Sequence, residues 1–323
     1  MSSSSVGAPG AVVAKPPRRR AGFREGGWRQ ALPFIVPALV LVIFGLVVPV
    51  IWTVLLSINR TRGLNFGEEW LGLDNYERLL TRDRRFLNTD EFPWAGALVN
   101  NIRWLIVYPA LCILLGLVTA VLATRVRYEA AFKAIIFVPM AISATAVGVI
   151  WGFVYSPSAD LGVLNALLGL FGQGPVAWLG QANTANYAII VAYVWASTGF
   201  VMVVLSAALK GISQEVIEAA RTDGATEWDI FRRVQLPLLS LPIAVVTVWM
   251  IINVIKVFDI IYVMTKGGPG GASRVIAYSY YVETFENGKG GYGAAVAVLM
   301  ILLIVPVMVW QIRRFRTEAV TGH

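Results

Sequence analysis

The chain is short of charge, of thiol and of imidazole. Of its 323 residues only 14% are charged, against about 25% in soluble domains, while 57% are apolar and the mean hydropathy is +0.67. One cysteine, Cys112, excludes an intrachain disulfide and leaves the redox compartment unread. With a single histidine, His323, no zinc site, Ser-His-Asp triad or Cys-His pair can be assembled within the sequence. Clusters of His, Cys or carboxylates at one membrane face, as an integral membrane enzyme would need, are also missing. No Gly-x-x-x-x-Gly-Lys-Ser/Thr string occurs, and Gly288-Lys289-Gly290 lies in a connection without the strand that motif requires. No catalytic, metal or cofactor residue is therefore expected.

Long apolar runs take the place of these features. A helix that satisfies its own backbone in lipid needs roughly 20 apolar residues to cross a bilayer. Six stretches qualify, at about 31–58, 104–123, 134–155, 187–209, 238–265 and 292–312. The expected fold class is an all-α integral membrane protein with six transmembrane helices, bent rather than broken at prolines 37, 49, 109, 139, 242 and 306. The first run is too long for a signal-peptide core, so Arg18-Arg19-Arg20 reads as the flank of a retained anchor. Residues 1–28, rich in Ser, Gly, Pro and Arg, read as a disordered cytoplasmic tail, 29–318 as the membrane domain and 319–323 as a C-terminal tail.

Lys and Arg set the orientation. With the N-terminus cytoplasmic, sixteen lie in inner segments and ten in outer ones, seven of those in the first outer connection, 59–103. Both termini are thus expected in the cytoplasm of a bacterial or archaeal plasma membrane. The net charge of +8 sits at membrane-flanking positions, where anionic lipid explains it better than nucleic acid. In the first outer connection a short helix is expected from Asp74, with Asp74 as its cap. Between Asp160 and Asn186 there is no Lys or Arg, and Leu161, Leu164, Leu167, Leu168 and Phe171 suggest an amphipathic helix at the outer interface, either an anchor or a lip that meets an external protein.

Between the fourth and fifth runs lies a polar segment, Gly211 to Pro237. Ser213 is placed to cap a helix over Gln214 to Asp223, Gly224 to end it in a left-handed conformation, and Thr226 to cap a second helix that Pro237 stops. Ile212, Val216, Ile217, Trp228, Ile230, Phe231 and Val234 are too many apolar residues for a free loop. They pack on the protein's own helix ends and headgroups, or another protein covers them.

The string Glu218-Ala219-Ala220-Arg221-Thr222-Asp223-Gly224-Ala225, followed by Phe231 and Leu236-Pro237 before the second-last span, resembles the EAA loop of ABC-importer permeases. Trp70-Leu71-Gly72-Leu73-Asp74-Asn75-Tyr76 and Lys256-Val257-Phe258-Asp259-Ile260-Ile261-Tyr262-Val263-Met264-Thr265 resemble matching stretches of carbohydrate permeases. The likeness is to the maltose-permease F and glycerol-phosphate permease A kind, most of all to α-glucoside permeases. The resemblance implies an ABC type I importer permease core, with ATPase coupling through Glu218, Ala219, Ala220, Asp223, Gly224, Ala225, Phe231 and Pro237. It implies as partners a second similar permease, two ATPase subunits holding ATP and Mg, and an extracytoplasmic sugar-binding protein. Sugar-contacting positions of the family fall on Asn253, Val254 and Val257, of which only Asn253 keeps hydrogen-bonding ability.

Polar residues inside spans are functional candidates. Asn253, Lys256 and Asp259, spaced by three, are expected on one inward helical face. Lys256 and Asp259 either belong to the substrate path or form an interhelical ion pair. Trp151, Trp195, Thr198 and Trp249 suit stacking on a sugar, or equally packing and lipid contact. The rivals are an importer for another solute, such as glycerol phosphate, and a stand-alone secondary carrier. The first would call for converging basic residues and the second for ion-coupling residues with inverted repeats.

Overall fold

The computed structural model describes residues 28–63, 69–90, 92–158 and 160–321. The expected tails lie outside the described residues, except Trp28 and 319–321, which are helical. Four helices are long and apolar enough to cross a membrane, or six if each of two bent pairs counts as one span. The chain divides into two units, 1–51 and 52–323. In the first, helix α1 (Leu32–Ser57, which runs on into the second unit) contains a π turn at Ile43–Val47. That wider turn suits Pro49, whose ring would otherwise meet the carbonyl four residues back.

In the second unit, two long helices form the centre, α3 (Ala97–Ala123) and α7 (Ala185–Lys210), after a short α2 (Asp74–Glu77). Their backbones approach closely at Gly116, where a Cβ would lie 2.5 Å from Val201 Cγ1. Small residues permit this, and close packing is the main force joining helices in lipid. Trp104, Tyr108, Met202 and Leu205 are fully buried at the contact, and Trp104 Nε1 donates to Asn186 Oδ1 at 2.8 Å. Cys112 is buried there as a small packing residue, its thiol 3.8 Å from the Val194 carbonyl.

Two expected spans are not single helices. In place of 134–155 there is α4 (Glu129–Ala141) and α5 (Ala144–Val154), bent by 101°. Pro139 sits in the 3₁₀ turn that ends the first, and Ser143 Oγ accepts from Ala146 N to restart the second. Further on, α9 (Glu227–Leu238) meets α10 (Ser240–Ile255) at 60°. The fifth run was expected to continue to 265, but α10 ends at Ile255 and a separate α11 (Asp259–Met264) follows. The break is held from outside its own helix. Asn101 Nδ2 donates to the Val254 carbonyl at 3.1 Å while Asn101 Oδ1 accepts from Ile276 N at 2.7 Å. Backbone groups freed by an interrupted helix must find such partners when buried.

Beyond α11, Gly267, Gly270 and Gly271 take positive φ in the expected turn. The chain then forms α12 (Ile276–Tyr281), a π turn at Val282–Glu286, and α13 (Gly290–Thr321). Arg274, 8% exposed, pairs with Glu283, 5% exposed, at 3.4 Å and donates to Ser279 Oγ at 2.9 Å. The connection after α1 is also tied down, by Tyr292 donating to Asp83 Oδ2 at 2.6 Å. Asp74 is the first residue of α2 rather than its cap; its carboxylate lies 3.6 Å from Arg82 and caps nothing. Between α5 and α7 the expected interfacial helix is short, α6 (Val163–Leu170), with Leu161, Val163, Leu170 and Phe171 exposed.

Candidate functional site

Two places bring the expected site residues together. One is a hairpin of two helices, α8 (Gln214–Thr222) and α9, joined at Gly224. Ser213 Oγ accepts from Glu215 N at 3.3 Å, Thr226 Oγ1 accepts from Asp229 N at 3.2 Å, and Gly224 has φ +83°. These are the cap, turn and cap anticipated from the residue types. Pro237 does not end the second helix: α9 runs through a π turn at Phe231–Gln235 and stops at Leu238, with the fully buried Leu239 at the bend. A proline early in its own helical segment removes a donor that the π turn has already displaced.

The hairpin turns Ile217 and Ile230 inward and leaves Val216 and Trp228 exposed, Trp228 at 67%. Glu218, Ala219, Asp223 and Gly224 are exposed, Ala220, Ala225 and Phe231 half-buried, and nothing lies within 4 Å of a Cβ built at Gly224. The arms are braced by Arg221 Nε and Glu227 Oε1 at 2.9 Å. That hydrogen bond holds the Glu227 carboxyl below the usual carboxylate range, as Thr226 does for Asp229. At the root of the hairpin, Lys210 Nζ lies 2.7 Å from Glu129 Oε1, pinning the end of α7 to the start of α4.

The other place is the helix break. Asn253, Lys256, Val257, Phe258 and Asp259, with Tyr193 of α7 and Ala144 of α5, line a cavity of about 270 Å³. The single-face expectation is corrected: Asn253, Lys256 and Asp259 converge because the helix stops between them, not because it continues. The ion-pair alternative is corrected too, since neither Lys256 nor Asp259 forms an ion pair with any described residue. Asn253 Nδ2 donates to Trp249 O at 2.8 Å, a bond within its own helix. Val254 is fully buried in the packing core and does not line the cavity.

Trp151, Trp195, Thr198 and Trp249 are likewise absent from its lining. Trp249 packs against Phe200 in a tilted pair with centroids 4.5 Å apart, Trp151 meets Trp195 at 5.8 Å, and Thr198 Oγ1 donates to Val194 O. They are packing residues. Tyr193 and Phe258 line the cavity and were missed. Phe258 stands in an apolar run where only the break reveals it, and Tyr193 carried one signal, a polar tip within a span.

The cavity, the hairpin and the set of spans occur together in a chain whose residues 112–313 match the family described as binding-protein-dependent transport system inner membrane component. The chain belongs to that family. This permease is 42% identical over 88% of its length to the osmoprotective compounds uptake permease protein GgtC of Synechocystis, covering 98% of that protein. It is 40% identical over 90% of its length to the alpha-glucoside transport system permease protein AglF of Rhizobium meliloti, covering 83%. With the trehalose/maltose transport system permease protein MalF of Thermococcus litoralis, identity is 33% over 88% of this chain and 93% of that one. A chain of a bacterial alginate ABC transporter, solved with its periplasmic protein, has the same fold, with TM-score 0.72 at 21% identity over 88% and 95% of the two chains. The permease is thus a multi-pass inner-membrane transporter subunit, not an enzyme, and works with a binding protein and an ATPase.

Proposed function

We propose that the permease forms half of the path of an ATP-driven importer for neutral sugars of the α-glucoside type, beside a second permease and two ATPase subunits that hold ATP and Mg. The observation that carries this is the cavity at the break. Asp259 and the Asn253 carbonyl accept from hydroxyls, Lys256 donates to them, and Phe258 and Tyr193 offer ring faces, a set suited to an uncharged polyol. The relatives that carry alpha-glucosides, trehalose or maltose in their names support the choice. An anionic cargo would want converging basic groups, and the cavity supplies Lys256 beside Asp259.

The hairpin is the ATPase dock. Ala219, Ala220 and Gly224 allow close approach of another backbone, and Glu218 stands free to pair with a basic residue there. The mechanics follow from continuity. The arm α9 passes through the bend at Leu239 into α10, which spans 16 residues, about 24 Å at 1.5 Å per residue, and ends at the cavity. Movement of the hairpin on ATPase closure tilts α10 and turns the cavity between the two membrane faces, as alternating access requires. With the hairpin facing the ATPase, both termini face the cytoplasm.

Copurification of the tagged permease with mass spectrometry, followed by uptake of labelled maltose and trehalose with and without ATPase, tests the reading. An ATPase and a second permease should copurify, and uptake should need both. Sugar flux by this subunit alone would overturn it. GgtC supports a second reading, in which the cargo is an osmoprotective compound; competition by such solutes against labelled maltose decides between them.

A further inference from the structure

Phe258 belongs to the cavity and also to a run of rings that leaves it. Its centroid lies 5.0 Å from Tyr281 and 5.5 Å from Tyr262, and Tyr262 and Tyr281 are themselves 5.5 Å apart. Tyr281 in turn stands 5.6 Å from Phe285, which is 56% exposed. The rings come from three separate pieces of chain, the break, α11 and the segment that begins with α12. Neither Tyr262 nor Tyr281 is fully buried. A cluster that served only to pack would be closed; this one opens into the cavity at Phe258 and to the surface at Phe285.

The scaffold beneath the rings is rigid. The buried Arg274–Glu283 pair ties the start of α12 to the turn that carries Phe285, and Asn101 holds Ile276 N. Lys266 Nζ lies 6.0 Å from the Tyr262 ring centre, placing one cationic donor beside the stack. Ring faces flanked by hydroxyls and a cationic donor suit the mixed apolar and hydroxylated surface of a sugar.

We propose that Phe258, Tyr262, Tyr281 and Phe285 form an outer sugar subsite continuous with the cavity, which makes this permease selective for cargo longer than one sugar ring. The inference rests on the sugar reading above. One ring sits against Asp259 and Phe258, and the next rides on Tyr281 and Phe285. A monosaccharide fills the first position and gains nothing from the second.

The test uses the whole transporter in proteoliposomes with ATP and saturating binding protein, and compares labelled maltotriose with labelled methyl α-glucoside. Tyr281→Leu and Phe285→Leu should each raise the half-saturation concentration for maltotriose by about threefold to tenfold, the worth of one lost ring contact. Methyl α-glucoside should be unaffected, and Tyr281→Phe should behave as wild type. Equal losses for both sugars, or no loss for either, with normal amounts of assembled complex, would overturn the subsite and leave the importer reading intact. Phe285 is exposed, so its variant separates function from folding. Transport of neither sugar by the wild type would remove the sugar reading and the subsite together.

Discussion

The hairpin 214–238 and the outer segment 266–289 are built from similar parts, short helices with charges and glycines set between membrane spans, yet they end in opposite states. In the outer segment the buried charges are consumed internally: Arg274 and Glu283 are buried against each other, and Asn100 Nδ2 donates to Arg274 O at 2.9 Å. The hairpin leaves Glu218, Trp228 and Gly224 open, with its one brace, Arg221 to Glu227, on the surface. The difference separates a segment completed by its own chain from one left open, as the proposed ATPase dock requires.

Gly224→Asp should break the comparison most visibly. An L-residue at φ +83° loses about 1–2 kcal/mol in the left-handed region, and nothing within 4 Å obstructs it, so the subunit should insert and accumulate while uptake and ATPase copurification vanish. Full transport by that variant would end the docking role. Glu283→Gln should act on the opposite pole. Leaving Arg274 buried without its partner destabilises by about 3–5 kcal/mol, read as a large fall in thermal stability of the detergent-solubilised permease. Unchanged stability would mean that the outer segment is not self-contained.

Asn101→Ala sharpens the same point at the break. It removes bonds to Val254 O and Ile276 N; the Val254 carbonyl keeps the Val257 amide, so the larger cost, about 1–3 kcal/mol for a buried donor left unpaired, falls on Ile276 N and should lower stability and uptake together. The smallest effect is expected at the hairpin brace. The folded Glu227 carboxyl is held below its unfolded range, so its contribution is present above about pH 4.3 and lost as pH falls through the lower folded value. Glu227→Gln should therefore flatten the acid limb of ATPase binding below about pH 4.3, with little change at neutral pH because an exposed pair contributes little.

The hairpin was legible because its signals are local. Ser213, Gly224 and Thr226 act through their own backbone neighbours, so residue type and spacing are enough. The apolar runs were legible for the same reason, since lipid filters by composition. The break at 256–258 was not, because its cause lies 153 residues away in Asn101. Counting periodicity through Val254 and Ile255 produces a continuous helix, and with it a false face for Lys256 and Asp259. Arg274 shows the same limit: in a tally of basic residues it weighs as much as any exposed one, although its charge is paired inside the fold.

The amide of Asn101 grips the last turn of α10 with its nitrogen and the first turn of α12 with its oxygen. One planar group thus ties the cavity wall and the start of α12 to α3. Under the proposed alternating access, those parts would travel as a block, which leaves the bend at Leu239 as the place for a hinge.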